Sequence, residues 1–242
     1  MVTVSAYRRP ASLEEALAAL EHSHSVLVGG GTRLHATPGA EPVVVVDLQA
    51  AGLAGVRPSG EDAVTLGATT TLEDLAASPE LPEVVCEAAR REQPSSLRAL
   101  STLGGCVASA DFESELLATL LVHRAAVRLA ARSGLSVAPL ADLLAEPGQL
   151  TGRIIVSVEI EVGGQSAVAR VARTPADRPI VAAVARRDTQ GMLLLAFSGV
   201  AHAPVLVDNP EALEPPGDFR GSSEYRKAMA EVLGVRAREA LR

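Results

Sequence analysis

The chain has 242 residues, of which 48% are hydrophobic, 21% charged and only 2% aromatic, and its formal net charge is −7. The basic residues are scattered, which argues against nucleic-acid binding, since that function needs a concentrated basic face. No window approaches the ~18 apolar residues of a membrane span, and no signal-peptide pattern opens the chain, so we expect a cytoplasmic protein. The two cysteines, Cys86 and Cys106, belong to no CxxC or Cys/His cluster, so we expect no zinc or iron–sulfur centre within this chain.

The first fifty residues predict a small β/α unit. Ser12 and Glu15 form a capping box that opens a helix reaching about Glu21. Two apolar strands follow, at Ser25–Val28 and Val43–Asp47.

The middle of the chain predicts a second unit of strands and capped helices. Strands are expected at Ala63–Gly67, Ala126–Ala130 and Ile154–Glu161. Helices are expected after Thr71, from Pro82 to about Glu92, and over Ser114–His123. The polar segment Gln93–Ser101 is predicted to be a loop.

A turn or linker at Gly163–Ser166 leads into a third unit. Three strands are expected in this unit, at Ala167–Ala172, Ile180–Arg186 and Met192–Ser198, with a hairpin connection at Arg187–Gly191. After an acidic, Pro- and Gly-rich surface loop at Asp208–Gly221, Ser222 or Ser223 caps a final helix that extends to Arg242.

Two glycine motifs carry the chemistry that the sequence suggests. One is Gly29-Gly30-Gly31-Thr32-Arg33-Leu34, directly after a strand, and the other is Thr102-Leu103-Gly104-Gly105-Cys106, before a helix. Consecutive glycines allow positive φ and a close backbone approach, so their N–H groups can converge on an anion. Either motif alone is as well explained by a tight turn without a ligand. Two such motifs together could hold a pyrophosphate between two domains.

The first motif is a poor Rossmann fingerprint. Gly29 and Gly31 satisfy the G-x-G spacing, but Leu34 occupies the position of the third glycine. Pro38 also prevents the long crossover helix that this fingerprint requires.

Five short motifs in order give the chain a family resemblance. Val28–Leu34 resembles the AGGT-x-L loop of the flavin subunits of molybdenum hydroxylases, the family of xanthine dehydrogenase and aerobic carbon monoxide dehydrogenase. The second glycine motif is similar to that family's T-[IL]-G-G-N. Three further matches are Gly67–Thr71 with GA-x-T-T, Ile154–Ile160 with a strand of the type iLvsveiP, and Ser222–Arg226 with S-x-x-YR. The matches cover nearly the whole chain.

This resemblance implies an α+β protein with three domains. Two α/β subdomains would form a vanillyl-alcohol-oxidase (PCMH)-type FAD-binding fold, over residues 1–52 and 53–163. Residues 164–242 would form a C-terminal three-stranded α+β domain.

The resemblance also implies a function and partners. The chain would be an FAD-binding subunit that passes electrons from the [2Fe–2S] clusters of a small partner subunit to NAD, a quinone or another acceptor, while a molybdenum-cofactor large subunit oxidises the substrate. It implies no catalytic acid or base in this chain. Two alternatives stay open: a flavin-free structural subunit of such a complex, and a stand-alone flavoprotein oxidase.

By carry-over from the family, the two glycine motifs would wrap the pyrophosphate and ribityl chain. The residues so assigned are Gly29, Gly30, Gly31, Thr32, Arg33, Leu34, Thr102, Gly104, Gly105 and Cys106. Glu115 would lie near the ribityl chain or pyrophosphate, Ile155 would touch the isoalloxazine, and Arg170 or Arg173 would lie by the flavin ring and stabilise its reduced anionic form.

Four residues depart from the family pattern. Arg33 replaces an Asp or Ser, Cys106 an Asn, Phe112 a Pro and Glu115 an Asp. Arg33 could neutralise pyrophosphate charge, because a guanidinium matches paired phosphate oxygens. Cys106 lacks the donor and acceptor capacity of an amide. The departures at Arg33 and Cys106 are the support for the flavin-free alternative.

Overall fold

The computed structural model describes residues 3–33, 41–175 and 177–242. Its strands are β1 Val4–Arg8, β2 Ser25–Val28, β3 Val43–Asp47, β4 Val56–Pro58, β5 Ala63–Gly67, β6 Ala126–Ala131, β7 Gly134–Pro139, β8 Ile154–Glu161, β9 Gln165–Val171, β10 Val181–Arg187, β11 Leu193–Ser198 and β12 Val205–Leu206. Its helices are α1 Leu13–Ala19, α2 Leu72–Ala76, α3 Glu83–Glu92, α4 Ser95–Arg98, α5 Leu103–Ser109, α6 Glu115–Val122, α7 Leu140–Ala145 and α8 Ser223–Glu239.

The first sheet is parallel, with the order β1-β3-β2. Its central strand β3 is the predicted run of valines, which is buried towards its end. Helix α1 covers this sheet through Ala16 and Ala19 and packs in a core that also contains Val46, Leu48 and Ile154. Because Ile154 belongs to β8, the first sheet shares its core with the second.

The second sheet is antiparallel, with the order β4-β5-β8-β6-β7. Strand β8 is central, and its apolar residues Ile154, Val158 and Ile160 are buried, as expected for a strand paired on both sides. Helices α2, α3, α5 and α6 contribute to the same large core.

The third sheet is also antiparallel, with the order β12-β11-β10-β9, and α8 packs on β9 and β10. Its three long strands are the predicted ones, and the two-residue β12 adds an unpredicted edge. Helix α6 contacts β10 and β11 as well as α3, which explains why all eight of its residues are buried.

The apolar cores do not stop at the boundaries expected from the sequence. Val184 and Ala196 of the third sheet belong to the core of the second sheet. The three sheets do fall within residues 1–52, 53–163 and 164–242, but the division into three domains stays a prediction.

Most predicted helix starts are found at the expected caps. The hydroxyls of Ser12, Thr71, Ser114 and Ser222 each accept a hydrogen bond from the backbone N–H three residues later. Helix α1 ends earlier than predicted, at Ala19, and α3 ends at Glu92 as predicted.

Helix α8 ends at Glu239, before the predicted Arg242. Two further local predictions differ from the structure. The segment Gln93–Ser101, expected to be a loop, contains the short helix α4. The second glycine motif does not precede a helix but lies inside one, since α5 starts at Leu103. Strands β1, β4, β7 and β12 were not predicted.

Candidate functional site

The first glycine motif packs directly on the segment that precedes α5. A Cβ placed on Gly30 would lie 1.5 Å from the carbonyl oxygen of Leu100, and one on Gly29 would lie 2.4 Å from Thr102 Oγ1. Gly31 has φ of +72°, a conformation that glycine adopts without strain. No larger residue fits at Gly29 or Gly30 without moving the backbone or side chain opposite.

The second glycine motif is the first turn of α5. Thr102 caps it, because its Oγ1 accepts a hydrogen bond from Gly105 N at 3.3 Å. A Cβ on Gly104 would lie 2.9 Å from the carbonyl oxygen of Ala68. Gly104 thus allows α5 to pack closely on the residue that follows β5, and this contact explains why a glycine occurs at position 104 inside the helix.

A hydrogen bond joins the first motif to the residue directly before the second. Ser101 Oγ donates to Thr32 Oγ1 at 3.1 Å, across 69 residues of chain. The two loops were predicted to face one another from separate units, and the structure brings them together.

A cavity of about 250 Å³ opens between the two motifs. Eight predicted site residues line it, namely Gly29, Gly30, Gly31, Thr32, Arg33, Thr102, Gly105 and Cys106. Leu34, the remaining residue of the first motif, lies outside the described residues.

A smaller cavity of about 150 Å³ adjoins the first. The two share Gly29, Thr102 and Gly105 as common wall. The smaller one also contains two further predicted residues, Gly104 and Ile155. Thus ten of the predicted residues line one or both of two adjoining cavities.

Arg33 is held at the edge of the larger cavity by an ion pair. Its Nη1 donates to Asp111 Oδ2 at 2.9 Å, and Arg178 binds the same carboxylate with Nη2 3.0 Å from Oδ1. Asp111 lies in the loop between α5 and α6, and Arg178 in the loop between β9 and β10. One carboxylate therefore links residues from all three predicted units.

The charge state of Asp111 follows from this pair of arginines. Burial by itself would raise the pKa of its carboxyl, but the hydrogen bond and charge of Arg178, and then the hydrogen bond of Arg33, lower that pKa to about 2. Asp111 is therefore ionised at neutral pH.

Two buried titratable groups, Glu92 and Cys106, lie close to the ion pairs that Asp111 forms with Arg33 and Arg178. Glu92 accepts a hydrogen bond from Ser114 Oγ at 2.8 Å, and burial raises the pKa of its carboxyl. Burial, followed by the negative charge of Glu92, also raises the pKa of the Cys106 thiol. Cys106 thus presents a neutral thiol to the cavity, without the reactivity of a thiolate.

Glu115 and Arg170 are brought together, but away from the cavities. Glu115 is 1% exposed and lies 3.0 Å from Arg91 Nη1 and 2.9 Å from Arg170 Nε. Arg170 also donates to the carbonyl oxygen of Pro175 at 3.0 Å. Neither side chain lines the two cavities, and Arg173 is exposed.

Sequence reasoning missed Asp111, Arg178, Glu92 and Leu100. Asp111 follows the second glycine motif by five residues and offered a weak signal as an acid next to a candidate anion site. The other three had none, because their roles depend on contacts between distant parts of the chain.

The fold is shared with a solved molybdenum enzyme. Carbon monoxide dehydrogenase from Hydrogenophaga pseudoflava contains a chain with a TM-score of 0.88 and 22% identity, with 100% of this chain and 98% of that chain covered. The architecture is therefore an α+β PCMH-type FAD-binding fold, and the predicted fold class is confirmed.

The family follows from the sequence itself. Residues 3–161 match the family described as the FAD binding domain in molybdopterin dehydrogenase, and the chain belongs to this family. FAD is accordingly its cofactor, and the resemblance to the flavin subunits of molybdenum hydroxylases is confirmed.

Two curated proteins are similar over almost their whole length. A protein of Escherichia coli K12 called YgfM is 28% identical, with 95% of this chain and 93% of that protein covered. The glyceraldehyde dehydrogenase medium chain of Sulfolobus acidocaldarius is 23% identical, with 96% of each covered. Among the described residues, no helix is long and apolar enough to cross a membrane.

The residues present fit a phosphate-linked cofactor. Gly29, Gly30 and Gly31 line the larger cavity, and Gly29 and Gly30 pack so closely on Thr102 and Leu100 that neither could carry a side chain. Thr32 and Arg33 add a hydroxyl and a guanidinium on the same wall, and these are the donors that phosphate oxygens accept from.

Proposed function

We propose that this chain is the FAD-carrying electron-transfer subunit of a molybdenum hydroxylase complex. The observation that carries the proposal is the pair of glycine motifs that line two adjoining cavities, in a chain of the FAD-binding family. When bound, FAD supplies the redox chemistry, and the protein supplies binding and orientation.

In this proposal the first glycine motif binds the pyrophosphate. The backbone N–H groups of Gly30 and Gly31 and the hydroxyl of Thr32 donate to phosphate oxygens, and Arg33 balances the charge. Asp111, which is itself bound by Arg178, holds the Arg33 guanidinium at the cavity edge. Gly104, Gly105 and Cys106 complete the opposite wall.

The roles proposed for Glu115, Arg170 and Arg173 are less direct. Arg170 is fixed by Glu115 and by backbone carbonyls, so its charge would act on the flavin ring through space, from a set position. Ile155 supplies an apolar contact for a ring of the cofactor, from the wall of the smaller cavity.

The partners are part of the proposal. The similar chain in Sulfolobus acidocaldarius is a medium chain by name, which supports a subunit that works with others. We propose a molybdenum-cofactor large subunit and a small subunit with [2Fe–2S] clusters as electron donor, NAD or a quinone as acceptor, and a cytoplasmic location.

A visible absorption spectrum of the purified chain, before and after FAD addition and desalting, tests the proposal. We expect flavin absorbance that survives desalting at about one FAD per chain. A chain that stays colourless after loading, alone and with its partner subunits, would contradict it and favour the flavin-free structural subunit.

Replacement of Arg33 sharpens this test. Arg33→Gln should weaken FAD binding and make it less dependent on salt, because one phosphate-facing charge is lost. Arg132→Gln is the matched control, since Arg132 is 82% exposed and pairs only with Glu21 among the described residues. If the two variants have equal affinity for FAD and equal salt dependence, Arg33 does not take part in FAD binding.

A further inference from the structure

A further cavity, of about 210 Å³, lies on the second sheet, on the face opposite its helices. Helices α2, α3, α5 and α6 cover one face of this sheet, where Val64, Leu66 and Val158 are buried. Because side chains alternate along a strand, Thr65 and Ser157 lie on the other face, and both line the cavity. It shares no lining residue with the two cavities of the candidate FAD site.

The charged residues that line this cavity are two arginines. Arg57 belongs to β4 and Arg128 to β6, and both are exposed. Within the described residues, neither guanidinium has an ion pair or a hydrogen bond, and no carboxylate lines the cavity. Glu159, an acid on the same face, accepts a hydrogen bond from Thr65 at 3.4 Å and lies outside the lining. In a chain of net charge −7, the cavity therefore has a local excess of positive charge.

One wall of the cavity is the loop at residues 52–55, which leads from the first sheet to β4. Hydrogen bonds fix this loop on the second sheet, since Leu53 O accepts from Thr69 N at 3.0 Å and Gly55 O from Gly67 N at 2.8 Å. A Cβ on Gly67 would lie 2.2 Å from Leu53 O. The wall is thus held in position without a ligand.

The same loop has backbone donors without backbone acceptors. Within the described part of the chain, the N–H groups of Gly52, Leu53 and Ala54 donate to no backbone carbonyl. The Arg57 side chain lies over the loop, because a Cβ on Gly55 would be 3.7 Å from its Nε and its Nη2. Backbone N–H groups beside a guanidinium are donors that anion sites in proteins combine.

These donors suit a phosphate group. A guanidinium matches paired phosphate oxygens, and the hydroxyls of Thr65 and Ser157 can donate to further oxygens. The volume of this cavity is below the roughly 300 to 1,000 Å³ of pockets that enclose a whole drug-sized ligand. It therefore suits a small anion or the phosphate end of a larger molecule.

We propose that Arg57, Arg128 and the loop at residues 52–55 form a binding site for a phosphate group, either free or at the end of a phosphate monoester. The inference goes beyond the proposed function, because the site lies apart from the cavities assigned to FAD. A phosphate bound here contacts the loop and the second sheet together, and so stabilises the connection between the first two sheets.

The experiment is a titration of the isotopically labelled full chain with inorganic phosphate, followed through its amide NMR signals. The signals of Gly52, Leu53 and Ala54 should shift and saturate. Arg57→Gln and Arg128→Gln should each raise the dissociation constant about tenfold, the loss expected for one charge-assisted hydrogen bond. Phosphate should also raise the thermal midpoint of the wild type, and the double variant should lose this effect.

Arg236→Gln is the matched control, since Arg236 is another exposed arginine without an ion pair among the described residues. It lines none of the three cavities, so its phosphate affinity should equal that of the wild type. Without phosphate, all three single variants should keep the wild-type thermal midpoint. An arginine variant that unfolds earlier but binds phosphate like the wild type would make that arginine structural and overturn the inference.

A second probe distinguishes the two sources of the phosphate group. If glycerol phosphate binds more tightly than inorganic phosphate, the site takes the end of a phosphate monoester. If inorganic phosphate binds more tightly, the site takes the free anion. Both results support the site, provided that the two arginine variants weaken the binding.

The remaining outcomes separate this inference from the proposed function. If only the signals of residues 29–31 respond, phosphate binds at the proposed cofactor site, the inference is overturned and the proposed function stands. If the signals of residues 52–54 show no saturable shift, or if either cavity variant binds like the wild type, the inference is also overturned. If residues 52–54 respond in a chain that binds no FAD, the inference stands and the proposed function falls.

Discussion

Gly30 lies against the carbonyl oxygen of Leu100 so closely that a Cβ on the glycine would stand 1.5 Å from that oxygen. The contact joins the turn after β2 to the segment before α5, 70 residues further along the chain. It fixes the spacing between the two glycine motifs, and with it the width of the larger cavity.

Gly30→Ala should therefore damage both folding and cofactor binding. The backbone must move, because the atom opposite is a carbonyl oxygen and not a flexible side chain, and we expect a loss of about 2 kcal/mol or more in the free energy of unfolding. Urea unfolding and FAD titration measure the two effects. Gly148→Ala is the control, since nothing lies within 4 Å of a Cβ there. Equal behaviour of the two variants would show that the contact with Leu100 is not maintained in solution.

Asp111→Asn should destabilise the protein by about 1 to 2 kcal/mol after allowance for solvent screening. The carboxylate binds both Arg33 and Arg178, and its lowered pKa means that its contribution is present above the ordinary pKa of an Asp. That contribution should be lost as the pH falls towards about 2.

A double-mutant cycle with Arg33→Gln, followed by urea unfolding, checks this ion pair. The two substitutions should be non-additive by about 0.5 to 1 kcal/mol, because they remove the same interaction. Strict additivity would mean that the pair contributes nothing to stability.

Arg170 and Arg173 should respond differently to replacement by Ala. Arg170→Ala leaves the buried Glu115 with Arg91 as its remaining partner, and we expect a loss of about 2 to 3 kcal/mol. Arg173→Ala should change stability by no more than about 0.5 kcal/mol, since Arg173 is exposed.

The same two variants, loaded with FAD, test the proposed effect on the flavin. If Arg170 or Arg173 stabilises reduced anionic flavin, replacement of that residue should lower the midpoint potential in a spectroelectrochemical titration, and Arg132→Gln, at an exposed arginine, serves as the control. Potentials unchanged in both variants would contradict a role for either arginine.

His123 should make the protein less stable in mild acid. Burial lowers the pKa of its imidazole to about 4, against the opposing effect of Nδ1 lying 2.6 Å from the carbonyl oxygen of Glu161. The unfolded chain therefore takes up a proton near pH 6.5, while the folded chain does so only near pH 4. Stability falls as the pH decreases through this window, by about 2 kcal/mol between pH 7.5 and 5.

Urea unfolding across that pH range, for wild type and His123→Gln, measures this contribution. The variant should show the shallower pH dependence. His202→Gln is the control, because His202 is an exposed histidine. A wild-type slope that His123→Gln leaves unchanged would assign the acid sensitivity to other groups.

Local sequence signals predicted much of the secondary structure. Hydroxyl caps such as Ser114 and Ser222 and apolar runs such as Ile154–Glu161 act within a few residues, so they can be read directly. Strand β7 escaped prediction because most of its side chains are exposed and give no alternating pattern. Strand β12 has only two residues and offers no periodicity.

The candidate site also has features that the sequence predicted and features that depend on packing. The sequence by itself determined the two glycine motifs and their family, because glycine's conformational freedom and the order of short motifs are properties of the chain. Only the tertiary structure decided that Gly104 and Gly105 belong to a helix and that Arg33 pairs with Asp111 across 78 residues. Such contacts depend on how the three sheets pack together. A local pattern of residues carries no information about the distance between side chains that are far apart in the chain.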